Sequence, residues 1–255
     1  MSDQNLIQSL ALDSWEYAAF FLPQTPVEAI SGRTISDEID LLVKAAALEE
    51  HPFFVRAAAD DAALKLWVSQ ELVMTNAFSQ MVLYAASRVQ NVHARAILVE
   101  VAVGEHGRFR SGSAVKSHPW LLHQLRESIQ LSTNDVYPMT ATIGFIDRLA
   151  GSLEDPLAAI AYLGVGNERL IVPEYQAIER CFGIRYPTAN FAPFLQANLT
   201  EDIRHSQLCF DLAAMGIETE DDHRRFLSES SKAIESRVDY FTELLSLLDQ
   251  PPNRS

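Results

Sequence analysis

The sequence is short of the residues that interrupt helices and of those that cross-link a chain. Ten glycines and eleven prolines in 255 residues leave long stretches without breakers, and neither an alternating strand pattern nor an internal repeat fills them. The two cysteines, Cys181 and Cys209, sit among apolar residues with no Cys-x-x-Cys spacing. That argues against a disulfide framework or a thiolate metal site and reads as two core positions. No run of 18 apolar residues occurs, so no membrane span is expected. The first seventeen residues, MSDQNLIQSLALDSWEY, are acidic where a secretion signal would be basic, so the expected location is cytoplasmic.

Positive charge is scarce as well. Twenty Lys and Arg face 34 Asp and Glu, a formal net charge of −14, which argues against nucleic acid or an anionic membrane as partner. A small-molecule substrate remains, and a homodimer is left open. A solvated acidic surface accounts for most of the excess. Part of it could instead be an inward acid cluster that a cation neutralises.

What the chain has in quantity is helical periodicity. Residues 1–35 read as a lead-in broken by Pro23 and Pro26, and Ser36-Asp37-Glu38 as a helix start. Further helices are expected over about 60–89 and 91–104, followed by a loop from Gly104 through Ser113. His118 opens the next, and another covers about 139–151. Asp155-Pro156 begins one that runs to about 181, with Pro173 kinking or splitting it and Gly183 ending it. Pro187 starts a long helix that stops at Gly216, and the last runs from Thr219 to about 248. The tail 249–255 is expected to be disordered. The reading is all-α, a single domain of seven or eight helices over 36–248.

The long helix carries the first sign of chemistry. Phe194, Leu195, Leu199, Cys209 and Leu212 recur at three- and four-residue intervals and mark a buried stripe. Asn198, Asp202 and His205 fall within that stripe, where packing alone would select Leu or Val. An ionised carboxylate in a core is costly unless it is paired or binds a metal. The same test finds Glu71 among Leu64, Trp67, Val68, Met74 and Phe78. It finds Glu100 among Ala96, Ile97 and Val103, and Glu168 among Ala161, Gly164, Val165, Ile171 and Val172. His118 precedes Leu121, Leu122 and Leu125 on one face.

Four carboxylates and two imidazoles are therefore expected to point inward, with no Lys or Arg on the same stripes to pair with them. Four buried negative charges are balanced by two divalent cations, and mixed oxygen and imidazole donors without thiolate suit iron or manganese. Helix bundles build dinuclear carboxylate sites from facing helices, but the ferritin-like version needs Glu-x-x-His twice. This chain has a single Asp-x-x-His.

The order of these motifs resembles the heme-oxygenase-like diiron oxidases and oxygenases. Their relatives include the chlamydial death-domain-associated protein and, without the metal site, thiaminase II and the coenzyme-PQQ synthesis protein. The resemblance rests on His51-Pro52-Phe53-Phe54, on Trp67 with Gln70-Glu71, and on Glu100, Gly104 and His118-Pro119-Trp120-Leu121-Leu122. It continues through Gly164-Val165-Gly166-Asn167-Glu168 and ends on Asn198-x3-Asp202-x2-His205. It spans roughly residues 36–215 and implies a heme-oxygenase-like bundle. It also implies Fe(II), two ions with one weakly held, and O2 as co-substrate. One ion would use Glu71, Asp202 and His205 with Glu100 bridging, and the other Glu100, His118 and Glu168. At the second ion Asn198 stands where the family has His, and the loop before His118, with His106 in it, is longer than usual.

The implied activity is oxidation of a small amine, amino acid or fatty acid in a biosynthetic pathway. The alternative is a metal-depleted or metal-free helical protein with a binding or non-oxidative role, since a neutral amide replaces an imidazole at Asn198. A thiaminase-like hydrolase would need an activated cysteine, and neither Cys181 nor Cys209 has a base beside it.

Overall fold

The computed structural model describes residues 32–89, 91–106, 109–110, 113–114 and 117–249. The lead-in up to residue 31 and the tail beyond 249 lie outside them. Among the described residues the regular structure is helical apart from a two-residue antiparallel ladder, Phe109–Arg110 with Ser113–Ala114.

Helix α1, Gly32–Ala46, begins one turn before the expected cap at Ser36. Ile35 and Ile39 are both fully buried one turn apart, and that shared face carries the helix back through residue 35. α2, Pro52–Ala59, is capped by His51, whose Nδ1 accepts from the Phe53 amide at 3.1 Å. This orients Phe53 and Phe54 onto the Phe241 ring at centroid distances of 5.2 and 4.9 Å. α3, Asp61–Arg88, is the longest central helix. Its buried Gln70 receives the Met139 amide and the Thr142 hydroxyl and donates to the Tyr137 carbonyl, which fixes the start of α6.

α4, Val92–His106, continues two residues past the expected loop start at Gly104. α5, His118–Ser128, is capped by the Ser117 hydroxyl, so the His118 ring is not spent on capping. α6 spans Thr140–Ser152, and α7, Pro156–Ile160, is capped by Asp155 as its sequence indicates.

α7 then widens into a π-helical turn, Ala161–Arg169, closed at Leu170, and α8 resumes over Ile171–Arg185. Pro173 does split this stretch: a ring without an N–H in the first turn of α8 suits a new helix start better than a continuous one. Gly183 does not end α8. It takes no left-handed conformation, and the helix runs on to Arg185.

α9 spans Ala192–Gly216, and the proline that starts it is Pro193 rather than Pro187, which lies in the preceding turn. α10, Glu220–Leu248, opens with a reciprocal capping box between Thr219 and Asp222.

The π segment explains the two glycines before Glu168. A Cβ on Gly164 would meet the Cys209 Cβ at 2.3 Å, and one on Gly166 would meet the Ala233 Cβ at 3.0 Å. Both positions need Gly because α9 and α10 close on the segment from two sides. Residues 163–168 are consequently all buried, and Glu168 is held inside the bundle.

Candidate metal centre

Six of the seven residues singled out in the sequence are brought inside. Glu71, His118, Glu168, Asn198, Asp202 and His205 are each no more than 4% exposed. They come from α3, α5, the π segment and α9. Glu100 is not among them. Its side chain is 35% exposed and pairs with Arg204 at 2.7 Å.

The correction is one of helical phase. The buried face of α4 carries Leu98, Val101, Ala102 and then Glu105, a 3-4 spacing that leaves Glu100 on the flank. Glu105 is 4% exposed and occupies the place expected of Glu100. His106, next in sequence, is exposed and its Nδ1 lies 3.0 Å from the Ala102 carbonyl, outside the cluster.

Ligand atoms of Glu105, Asp202 and His205 all lie within 4.8 Å of one another. Around them, His118 Nδ1 is 3.1 Å from Glu105 Oε1, and His205 Nδ1 is 3.4 Å from Glu168 Oε2 and 3.9 Å from Asp202 Oδ1. A half-exposed Glu201 reaches within 3.7 Å of His118 Nε2. Gly104 makes room for the central imidazole: a Cβ there would sit 2.3 Å from His205 Cε1.

Many of these atoms are left over. Glu168 Oε1, Asp202 Oδ2 and His205 Nε2 meet no N–H or hydroxyl donor, although Glu168 and Asp202 bond each other when one is protonated and His118 Nδ1 pairs with Glu105. Buried polar atoms are ordinarily paired, so these atoms fit either a shared proton or a cation.

The electrostatics differ from group to group. Burial raises the carboxyls of Glu168 and Asp202 well above the usual carboxylate range, and neighbouring acids raise them further. Burial lowers His205 and favours the neutral ring that a metal needs. Burial also opposes charge on His118, but the adjacent Glu105 carboxylate outweighs it and pushes the ring up to about 9.

A second charged cluster adjoins the first, and sequence reasoning missed its cation. Arg237 of α10 is 1% exposed. Its Nε and Nη2 donate to Glu174 Oε2 at 2.9 and 2.7 Å, and Nη2 lies 3.8 Å from Glu71 Oε2. Trp67 Nε1 donates to Glu174 Oε1 at 3.0 Å, and the Tyr175 hydroxyl donates to Glu71 Oε1 at 2.7 Å. Burial raises Glu71 to about 7, against the pull of Arg237.

The expectation that no basic residue would face the acids therefore fails at Glu71. The stripe test would have found both partners. Arg237 lies among Ala233, Ile234, Tyr240, Phe241 and Leu244, and Glu174 among Ala177, Ile178 and Cys181, all buried.

The two clusters share a cavity of about 20 Å3, lined among others by Glu71, Glu105, Glu168, Asn198, Asp202 and Arg237. That is room for one water. Asn198 Nδ2 is committed to the Phe194 carbonyl at 2.7 Å. Of the aromatics near the site, Phe78 and Tyr175 line this cavity, whereas Trp67 and Phe194 pack edge-on at 6.4 Å between centroids in the core. A larger apolar cavity of about 430 Å3 reaches Leu98, Leu163 and Leu212. Along α4, Val101 and Ala102 separate it from Glu105.

An all-helical bundle with this interior has the heme-oxygenase-like fold, and solved structures that share it can be named. A CADD-like protein of unknown function from Nostoc punctiforme PCC 73102 superposes with a TM-score of 0.71 at 16% identity, over 85% of this chain and 97% of its own. A TenA homolog from Pseudomonas syringae pv. tomato DC3000 gives 0.62 at 7% identity, over 84% and 92%. No family profile matches the sequence, and no curated protein is similar to it. No helix among the described residues is long and apolar enough to cross a membrane.

Proposed function

We propose that this chain is a non-heme iron, O2-dependent oxidase or oxygenase acting on a small organic substrate such as an amine, amino acid or fatty acid. The observation that carries the reading is the convergence of Glu105, Asp202 and His205 amid buried carboxylate and imidazole atoms that meet no N–H or hydroxyl donor. Two carboxylates and a neutral imidazole on one face form a hard, mixed donor set suited to Fe(II), with other positions left open. Bound there, iron would supply redox chemistry with O2 that side chains lack.

The chain's own residues would do the rest. Glu105, Asp202 and His205 would hold the ion. Glu168, 3.4 Å from His205 Nδ1, would orient that ring, as partners of ligating histidines do. Met74, Phe78 and Ile171 wall the cavity and would keep bulk water out.

Anaerobic Fe(II) loading followed by metal analysis and O2-uptake measurement tests the reading. Bound iron together with iron-dependent O2 consumption is expected, and both should vanish in Asp202→Ala and His205→Ala. A wild-type chain that stays iron-free would overturn it. One observation favours a second reading, a metal-free binding protein: Asn198 supplies no imidazole, and the raised Glu168 and Asp202 carboxyls could stay protonated. The same metal analysis separates the two.

A further inference from the structure

We infer that the centre is built for one divalent ion, because the Arg237 guanidinium takes the place of a second cation beside Glu71. This rests on the metal reading above and fixes its stoichiometry and ligands. A two-ion centre would need Glu71 as a ligand and a further donor opposite it. Glu71 Oε1 instead accepts from the Tyr175 hydroxyl at 2.7 Å, and Oε2, which accepts no hydrogen bond, has the Arg237 guanidinium as its nearest charge at 3.8 Å.

An ion on Glu71 would sit about 2 Å from a carboxylate oxygen, and so within a few ångström of a fixed positive charge. Arg237 has no route away from that position. It is 1% exposed, its Nε and Nη2 are anchored on Glu174, and the Phe145, Tyr240 and Phe241 rings enclose it at 5.3 to 5.8 Å. Its guanidinium cannot deprotonate to relieve the repulsion.

Two further observations agree. The cavity that Glu71 lines is also lined by Asn198, a neutral amide whose nitrogen is already bonded to the Phe194 carbonyl. The guanidinium itself lines the shared cavity on the side of Glu71. The remaining donors, Glu105, Asp202 and His205, converge, with Glu168 and His118 beside them. In charge terms Arg237 serves Glu174 and Glu71, and the divalent ion serves the acids across the cavity.

Equilibrium dialysis against Mn(II), read by elemental analysis and by electron paramagnetic resonance, tests this on the full chain. The expected result is one ion per chain with an uncoupled Mn(II) spectrum. Glu71→Gln should keep that one ion, and Asp202→Asn should lose it. Two ions per chain with a spin-coupled spectrum, or loss of the ion in Glu71→Gln, would overturn the inference while leaving the metal reading intact. No ion in the wild-type chain would overturn the metal reading itself. Arg237→Met should admit a second ion where it folds, and Glu71→Gln decides the matter if it does not.

Discussion

Two walls of one small cavity hold buried carboxylates, and they solve the same electrostatic problem differently. On one wall Glu174 and Glu71 meet a guanidinium, an indole N–H and a phenol, so most of their oxygens have partners. On the other, Glu105, Glu168 and Asp202 meet imidazoles and each other, and Glu168 Oε1 and Asp202 Oδ2 face no N–H or hydroxyl donor. Burial alone therefore does not call for a metal. The call comes from buried acids that outnumber their internal cations: on the second wall a single imidazolium, His118, raised to about 9, faces Glu105, Glu168 and Asp202.

The sharpest way to break this contrast is to remove the internal cation. Arg237→Ala should leave two acids buried without their charge partner and cost about 3–5 kcal/mol, measured by urea unfolding of the metal-free protein. A loss under 1 kcal/mol would mean the pair is better hydrated than its burial indicates. On the other wall the same kind of deletion should act in the opposite sense. Asp202→Asn should destroy ion binding yet leave the metal-free fold as stable as wild type or more so, since it removes a buried acid that lacks a cation.

A middle-sized effect is expected from steric displacement. Gly104→Ala would drive a methyl into the His205 ring, costing about 1–3 kcal/mol as overpacking and weakening ion binding at least tenfold. Unchanged ion affinity would place the ring outside the centre.

Proton linkage gives a further separation. In the metal-free protein Glu71 is raised to about 7 and His118 to about 9. Each holds a proton in the folded state that the unfolded chain releases at lower pH. Folding therefore binds protons, and stability should fall as pH rises from about 5 towards 9. An ion that replaces the protons on Glu168 and Asp202 should bind more tightly over that same rise. Thermal melts with and without Mn(II) across this range would check both slopes. A metal-free melting temperature that climbs from pH 5 to 8 would contradict them.

The smallest effect is expected at Glu100. Its exposed pair with Arg204 predicts less than 1 kcal/mol for Glu100→Gln, with ion content unaltered. Loss of the ion there would restore the alignment that the helical phase of α4 rejects.

The site was legible wherever one polar residue interrupted a strong apolar stripe. Glu71, Glu168, Asp202 and His205 stand out because their neighbours at helical spacing leave one face for the core, and the structure buries them there. At Glu100 the rule was applied to a helix of mixed amphipathicity. Ala96, Ile97 and Val103 suggested one face, whereas the helix buries Leu98, Val101, Ala102 and Glu105. A helix with apolar residues nearly all round has an ill-defined phase until its neighbours choose one. Arg237 is invisible to a test for inward acids and histidines alone, and it lies on α10, beyond the last of the motifs.

By itself, the sequence determined that the chain is helical, where most helices begin, and that acids and imidazoles occupy positions packing would give to Leu. Those properties are local: capping residues, breakers and 3-4 periodicity act within a few turns. The tertiary structure decided which acid of α4 turns inward, that a guanidinium from the last helix serves Glu174 and Glu71, and that Glu105, Asp202 and His205 meet. Each of those depends on helices distant in sequence closing on one another. A charge found on one stripe does not reveal the partner that another helix brings to it.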